Sequence, residues 1–165
     1  MASAQTYVPI ATTILASNAA TYSFTSIPQS YTDLLLVASV LHTTTNQNTL
    51  VQFNSDTGTN YSATYMYGTG SSAASGRATN ATVIYADYSS TTSNFSMFRM
   101  NIMNYSNTTT YKSILSRNDE PTATQSLALT GSWHSASAIN TINISISGGN
   151  LGANSTFTLY GIAAA

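Results

Sequence analysis

The chain has 165 residues and a net charge of −1, and only 5% of its residues are charged, where about 25% is usual. That length fits one domain with a full core. The composition excludes a basic stripe for nucleic acid, a patch for anionic membranes, an apolar run of bilayer length and charge-driven disorder.

Small polar residues replace the missing charge: 27 Thr, 25 Ser and 15 Asn. There is no Cys, hence no disulfide, thiolate metal site or Cys nucleophile. Met1 to Tyr7 shows neither a basic nor an apolar region of a signal peptide, so the expectation is folding in a cytoplasm. Asn-x-Ser/Thr sequons start at Asn60, Asn80, Asn94, Asn104, Asn107, Asn143 and Asn154. A chain this rich in Asn, Ser and Thr generates such triplets by chance, so they read as composition.

In chain order, Tyr7 to Leu15 is an extended stretch. Pro9 inside it cannot donate to a central ladder, which makes residues 1–20 an N-terminal arm or an edge strand. Tyr22 to Phe24 is a short piece stopped by Ile27-Pro28. Asp33 to Leu41 is a nearly continuous apolar run, the pattern of a strand buried on both faces. Thr49 to Phe53 and Tyr61 to Tyr67 flank an Asn-, Asp- and Gly-rich segment, 54–60, which reads as a hairpin connection. Gly68 to Asn80 is rich in Gly, Ser, Ala and Thr and reads as the longest loop. Thr82 to Ala86 is another short strand.

Alternation is clearest in the second half. Phe98, Met100 and Ile102 share one face, with Arg99, Asn101 and Met103 on the other. Leu127, Leu129, Gly131 and Trp133 repeat the pattern, as do Ile142, Ile144 and Ile146, and then Phe157, Leu159 and Gly161. Period-2 alternation marks strands with one buried face. About ten such strands without helix-period segments imply an all-β antiparallel β-sandwich over residues 21–165, with jelly-roll topology.

Catalytic signals are sparse. His42 and His134 each sit at a strand end and read as ordinary surface or hydrogen-bonded residues. Asp119-Glu120-Pro121 reads as a solvated turn, and Asp33 as a cap or pair at a strand edge. The segment around Asp56 lacks the run of acids and terminal Glu of a calcium loop. No G-x-S-x-G elbow or phosphate cradle is present. The expectation is therefore no enzyme, no metal and no cofactor. Tyr61, Tyr65 and Tyr67 share a strand face, a stripe that reads as a ligand or partner face or as an ordinary sheet surface. Trp133 belongs in the core. Tyr7, Val8, Pro9 and Ile10 form an apolar stretch able to grip a neighbour or extend its sheet.

Four segments resemble small structural proteins of tailed-bacteriophage virions: Ser26 to Val37, Phe53 to Ser62, Asn104 to Lys112 and Ser155 to Ile162. They contain no catalytic motif. The resemblance covers most of the chain from Tyr22 onward. It implies a head decoration (cement) protein on the capsid surface, or a tail-fibre module that binds a receptor or glycan. It also implies the major capsid protein and further copies of the chain, as a trimer, for partners, and neither nucleic acid nor membrane.

Overall fold

A computed structural model describes residues 6–89, 91–120 and 125–163. Among them run twelve strands: β1 (Tyr7–Ile14), β2 (Thr21–Phe24), β3 (Asp33–Val40), β4 (Gln47–Phe53), β5 (Tyr61–Gly68), β6 (Ala73–Ala81), β7 (Ile84–Ser89), β8 (Ser96–Met103), β9 (Lys112–Glu120), β10 (Gln125–Trp133), β11 (Ile142–Ile146) and β12 (Thr156–Ile162). They form an eight-stranded sheet, β1-β12-β3-β8-β9-β10-β5-β6, and a four-stranded sheet, β2-β11-β4-β7. All pairings are antiparallel.

The orders β1-β12-β3-β8 and β2-β11-β4-β7 have a simple origin. A long ribbon pairs β1 with β12, β2 with β11, β3 with β8 and β4 with β7, and rolls up so that β12 meets β3 and β11 meets β4. That winding is a jelly roll. Two hairpins are added to it. β9–β10 extends the larger sheet past β8, and β5–β6 extends it past β10.

The core lies between the sheets. Leu34, Leu36, Phe98, Met100 and Ile102 from the large sheet meet Val51, Phe53, Ile142 and Ile144 from the small one, all buried. Their period of two follows from strand geometry. At one end Trp133 stacks on Tyr61, with ring centroids 6.4 Å apart, and packs against Phe53 at 5.7 Å. The Trp133 indole N–H donates to Asp56 Oδ2 at 2.7 Å. Asn60 Nδ2 donates to the same oxygen, and the Gly58 N–H donates to Oδ1, both at 2.9 Å. Burial raises the Asp56 pKa, but these three hydrogen bonds outweigh it and hold the carboxyl below its ordinary range.

Several sequence expectations need correction. Segment 54–60 is no hairpin: β4 and β5 belong to different sheets. Asn54 and Ser55 do turn at positive φ (52° and 55°). Asp56 then anchors the turn to β10, and the chain crosses between sheets. Gly68 to Asn80 is largely strand, because Gly70 (φ 79°) turns the chain and β6 pairs along β5. Asp119 and Glu120 end β9 rather than forming a turn, and Glu120 is buried; Pro121 lies outside the described residues. His42 follows the hydrogen-bonded reading rather than the surface one, and it is wholly buried. Its Nε2 lies 2.9 Å from Thr49 Oγ1, and burial lowers its pKa to about 4. Tyr7 to Ile14 is the edge strand β1, with a bulge at Ile10 and with Ile10 and Ala11 packed on the core.

Lys112 is also wholly buried. Its Nζ donates to the carbonyls of Asn107 and Thr110 at 2.7 Å and of Ala136 at 3.3 Å. All three ammonium protons are thereby used, and two loops are tied to the start of β9. Lys112→Met keeps the stem and deletes the bonds. It should cost about 2 kcal/mol, read as a lower urea midpoint with an unchanged slope.

Candidate binding cleft

The two sheets differ in width. The small sheet ends at β7, whereas the large sheet continues through β10 and β5 to β6. Past Tyr61, Ala63 and Leu129, which are buried in the core, the inner face of that overhang is open. A cleft of about 310 Å³ lies there, lined by Tyr65, Tyr67, Ala78, Leu127, Leu129 and Gln125 of the large sheet and by Asn48, Tyr85 and Tyr88 at the rim of the small one.

Strand register explains the floor. Tyr65 opposes Leu129, and Tyr67 opposes Leu127, across β5–β10. Tyr65 and Tyr67 are two residues apart on one face, with ring centroids 6.4 Å apart. The Tyr65 ring lies across Gly76 of β6, where a Cβ would come within 2.6 Å of the phenol. A larger residue at Gly76 would displace the ring. Tyr85 is 39% exposed, and the Tyr88 hydroxyl donates to Asn46 Oδ1 at 2.9 Å. Tyr61 shares the β5 face but is wholly buried. Its hydroxyl accepts from the Phe53 N–H at 2.9 Å. Of the tyrosine stripe, Tyr65 and Tyr67 therefore reach the cleft and Tyr61 belongs to the core.

Asp87 (2% exposed), Asn118 (7%) and Glu120 (3%) form a buried polar group from β7 and β9, with Glu120 opposite the cleft residue Gln125. Asp87 accepts from the Ser96 hydroxyl and the Asn118 amide. Burial pushes its carboxyl up to about 6, with the charge of Glu120 adding to the rise and hydrogen bonds from Ser96, Asn118 and the Tyr88 N–H opposing it. Its oxygens are engaged within the protein. His134 lies on the exposed side, with Nε2 2.8 Å from Ser132 Oγ and 3.1 Å from Ser62 Oγ. No group of three or more His, Asp or Glu close enough to hold a metal ion occurs among the described residues. No helix there is long and apolar enough to cross a membrane.

The outer face of the large sheet is a second surface. Met97, Met103, Leu115 and Met66 stand out from it at 58%, 36%, 52% and 64% exposure. Arg99 and Arg117 are directly opposed on β8 and β9. At the β1 edge, Tyr7, Leu35, Arg99 and Tyr160 surround a shallow hollow. Tyr7 and Pro9 are exposed there, while Val8 and Ile10 are half-buried.

No family model matches the chain, and no curated protein matches it. A crystal structure of a protein of unknown function from Shewanella oneidensis MR-1 is similar at 11% identity with a TM-score of 0.23; the match covers 85% of this chain and 62% of that one.

Proposed function

We propose that the chain is a bacteriophage capsid decoration protein that binds the outer head surface as an oligomer, a trimer, and stabilises the shell. The observation that carries this reading is the outer face of the eight-stranded sheet. This face presents the exposed Met66, Met97, Met103, Leu115 and Tyr7, with the opposed Arg99 and Arg117 among them, so apolar and cationic contacts are available together. A nearly neutral chain adds little self-repulsion to assembly, and Ser, Thr and Asn suit wet, hydrogen-bonded contacts. The resemblance of four segments to virion structural proteins supports the same reading. Because β1 is part of the sheet, contacts at that edge are better probed by Tyr7→Ser and Pro9→Ser than by trimming.

Copy number tests the proposal. Quantitative mass spectrometry of purified particles should give a ratio to the major capsid protein near unity, or hundreds of copies. A handful of copies would overturn it. That result would favour the second reading, a tail-fibre or receptor-binding module, to which the tyrosine cleft gives specific support.

A further inference from the structure

We infer that the cleft under the sheet overhang is a binding site for a neutral saccharide. The inference does not depend on where the chain sits on a particle.

Three observations carry it. The first is shape: about 310 Å³ is at the small end of ligand sites. The second is the chemistry of the walls. Tyr65, Tyr67 and Tyr85 offer flat apolar rings with polar tips, and Leu127 adds apolar floor. Pyranose rings present C–H faces that stack on such rings, whose faces carry negative quadrupole charge. Among the described residues, no Lys, Arg, Asp or Glu lines the cleft, so none of them would neutralise a phosphate, a sulfate or a cationic ligand.

The third is hydrogen-bonding capacity. The hydroxyls of Tyr65, Tyr67 and Tyr85 and the carboxamides of Asn48 and Gln125 belong to the residues that line the cleft. Whatever covers the cleft removes water from these groups, and a buried polar group left unpaired costs free energy. A sugar supplies a hydroxyl for each. A donor strand laid along the free edge of β7 would complete the sandwich geometrically, but its apolar side chains would strand the phenols and amides. The groups present therefore favour the hydroxyl-rich occupant over the peptide.

The probes are neutral oligosaccharides: malto-, cello-, galacto- and manno-series. Binding is followed by tyrosine fluorescence and by chemical-shift changes in the intact chain. At least one series should bind and perturb residues of β5, β7 and β10. Tyr67→Ala and Tyr85→Ala should each weaken it about tenfold or more, the equivalent of one good contact, while melting as the parent does. Tyr67→Phe, which keeps the ring, should retain most of the affinity. If Tyr67→Ala unfolds, the exposed Tyr85 carries the test alone. No response to any series overturns the inference. So does binding that the cleft variants leave unchanged. Particle copy number is a separate measurement, so failure here leaves the decoration reading standing, and the reverse.

Discussion

Trp133→Ala should lower stability by about 4 kcal/mol, the range for deleting a buried indole, and the melting temperature by roughly 10 °C. Trp133 is 2% exposed and sits between the Tyr61 and Phe53 rings, so neither neighbour can fill the hole without leaving its own strand position. The loss has a polar part as well. The indole N–H donates to Asp56, which organises the crossover from β4 to β5. Asp56→Ala should therefore cost about 2 kcal/mol alone and clearly less in the Trp133→Ala background, since contacting residues do not add. Trp133→Phe separates the contributions, because it refills most of the volume but supplies no donor. Denaturant melts of the two single variants and the double variant measure the coupling. Strict additivity would show that the turn holds without the indole.

The second large effect is a dependence on pH that the parent protein conceals. Asp87 rises from 3.8 to about 6 on folding. Its contribution is fully present below pH 3.8 and is lost as pH climbs through 6, amounting to about 3 kcal/mol for two units. His42 moves the other way, from 6.5 to about 4. Its contribution is present above pH 6.5 and is lost as pH falls toward 4, again about 3 kcal/mol. The two slopes nearly cancel between pH 4 and 6. The intact chain should show a flat profile there, and each single variant a steep one. Asp87→Asn should gain about 3 kcal/mol relative to the parent between pH 3.5 and pH 8, whatever its fixed offset. His42→Gln should gain a similar amount on going from pH 8 to pH 4.

The hydrogen bonds from Ser96, Asn118 and the Tyr88 N–H favour the ionised carboxyl, so burial is what raises the Asp87 pKa. Ser96 has one hydroxyl proton but faces two acceptors, Asp87 Oδ2 and the Val40 carbonyl. A proton on Asp87 would donate to Ser96 and free the serine proton for Val40. Asn118 Oδ1 is buried without a hydrogen-bond partner, while its Nδ2 donates to Asp87. Urea midpoints of the parent and both variants across that pH range decide the matter. Parallel curves would remove both groups from the account.

How much of this was legible in the sequence depended on whether polarity alternated in the usual sense. β8, β11 and β12 carry apolar residues inward and polar residues outward, and were readable. β9 inverts part of that rule: Lys112, Ser116, Asn118 and Glu120 point inward while Leu115 points out. Its strand was therefore invisible to a hydrophobic pattern. β6 is built of Ala, Ser, Gly and Thr, and its existence rests on the ladder with β5 rather than on its own side chains. In the cleft, Tyr65 and Tyr67 announced a shared face by spacing. Tyr85, Tyr88, Asn48 and Gln125 did not, because they arrive from three other strands. Only the unequal widths of the sheets bring them together. The same inequality separates Tyr61, under the small sheet, from its two neighbours on β5.

The pairing of β1 with β12 also fixes the chain's external connections. Tyr7 lies against Ile162, and the Ala163 N–H donates to the Thr6 carbonyl at 3.1 Å. Both ends of the described fold thus leave side by side from one corner. Tension applied between them peels β1 from β12 one rung at a time, the weak geometry for a sheet, instead of shearing many rungs at once. Joining the two ends and reopening the chain at the Gly70 turn would preserve every ladder while relocating the termini to the far edge of the large sheet. This jelly roll is in effect a closed ring, cut at the point where its first and last strands meet.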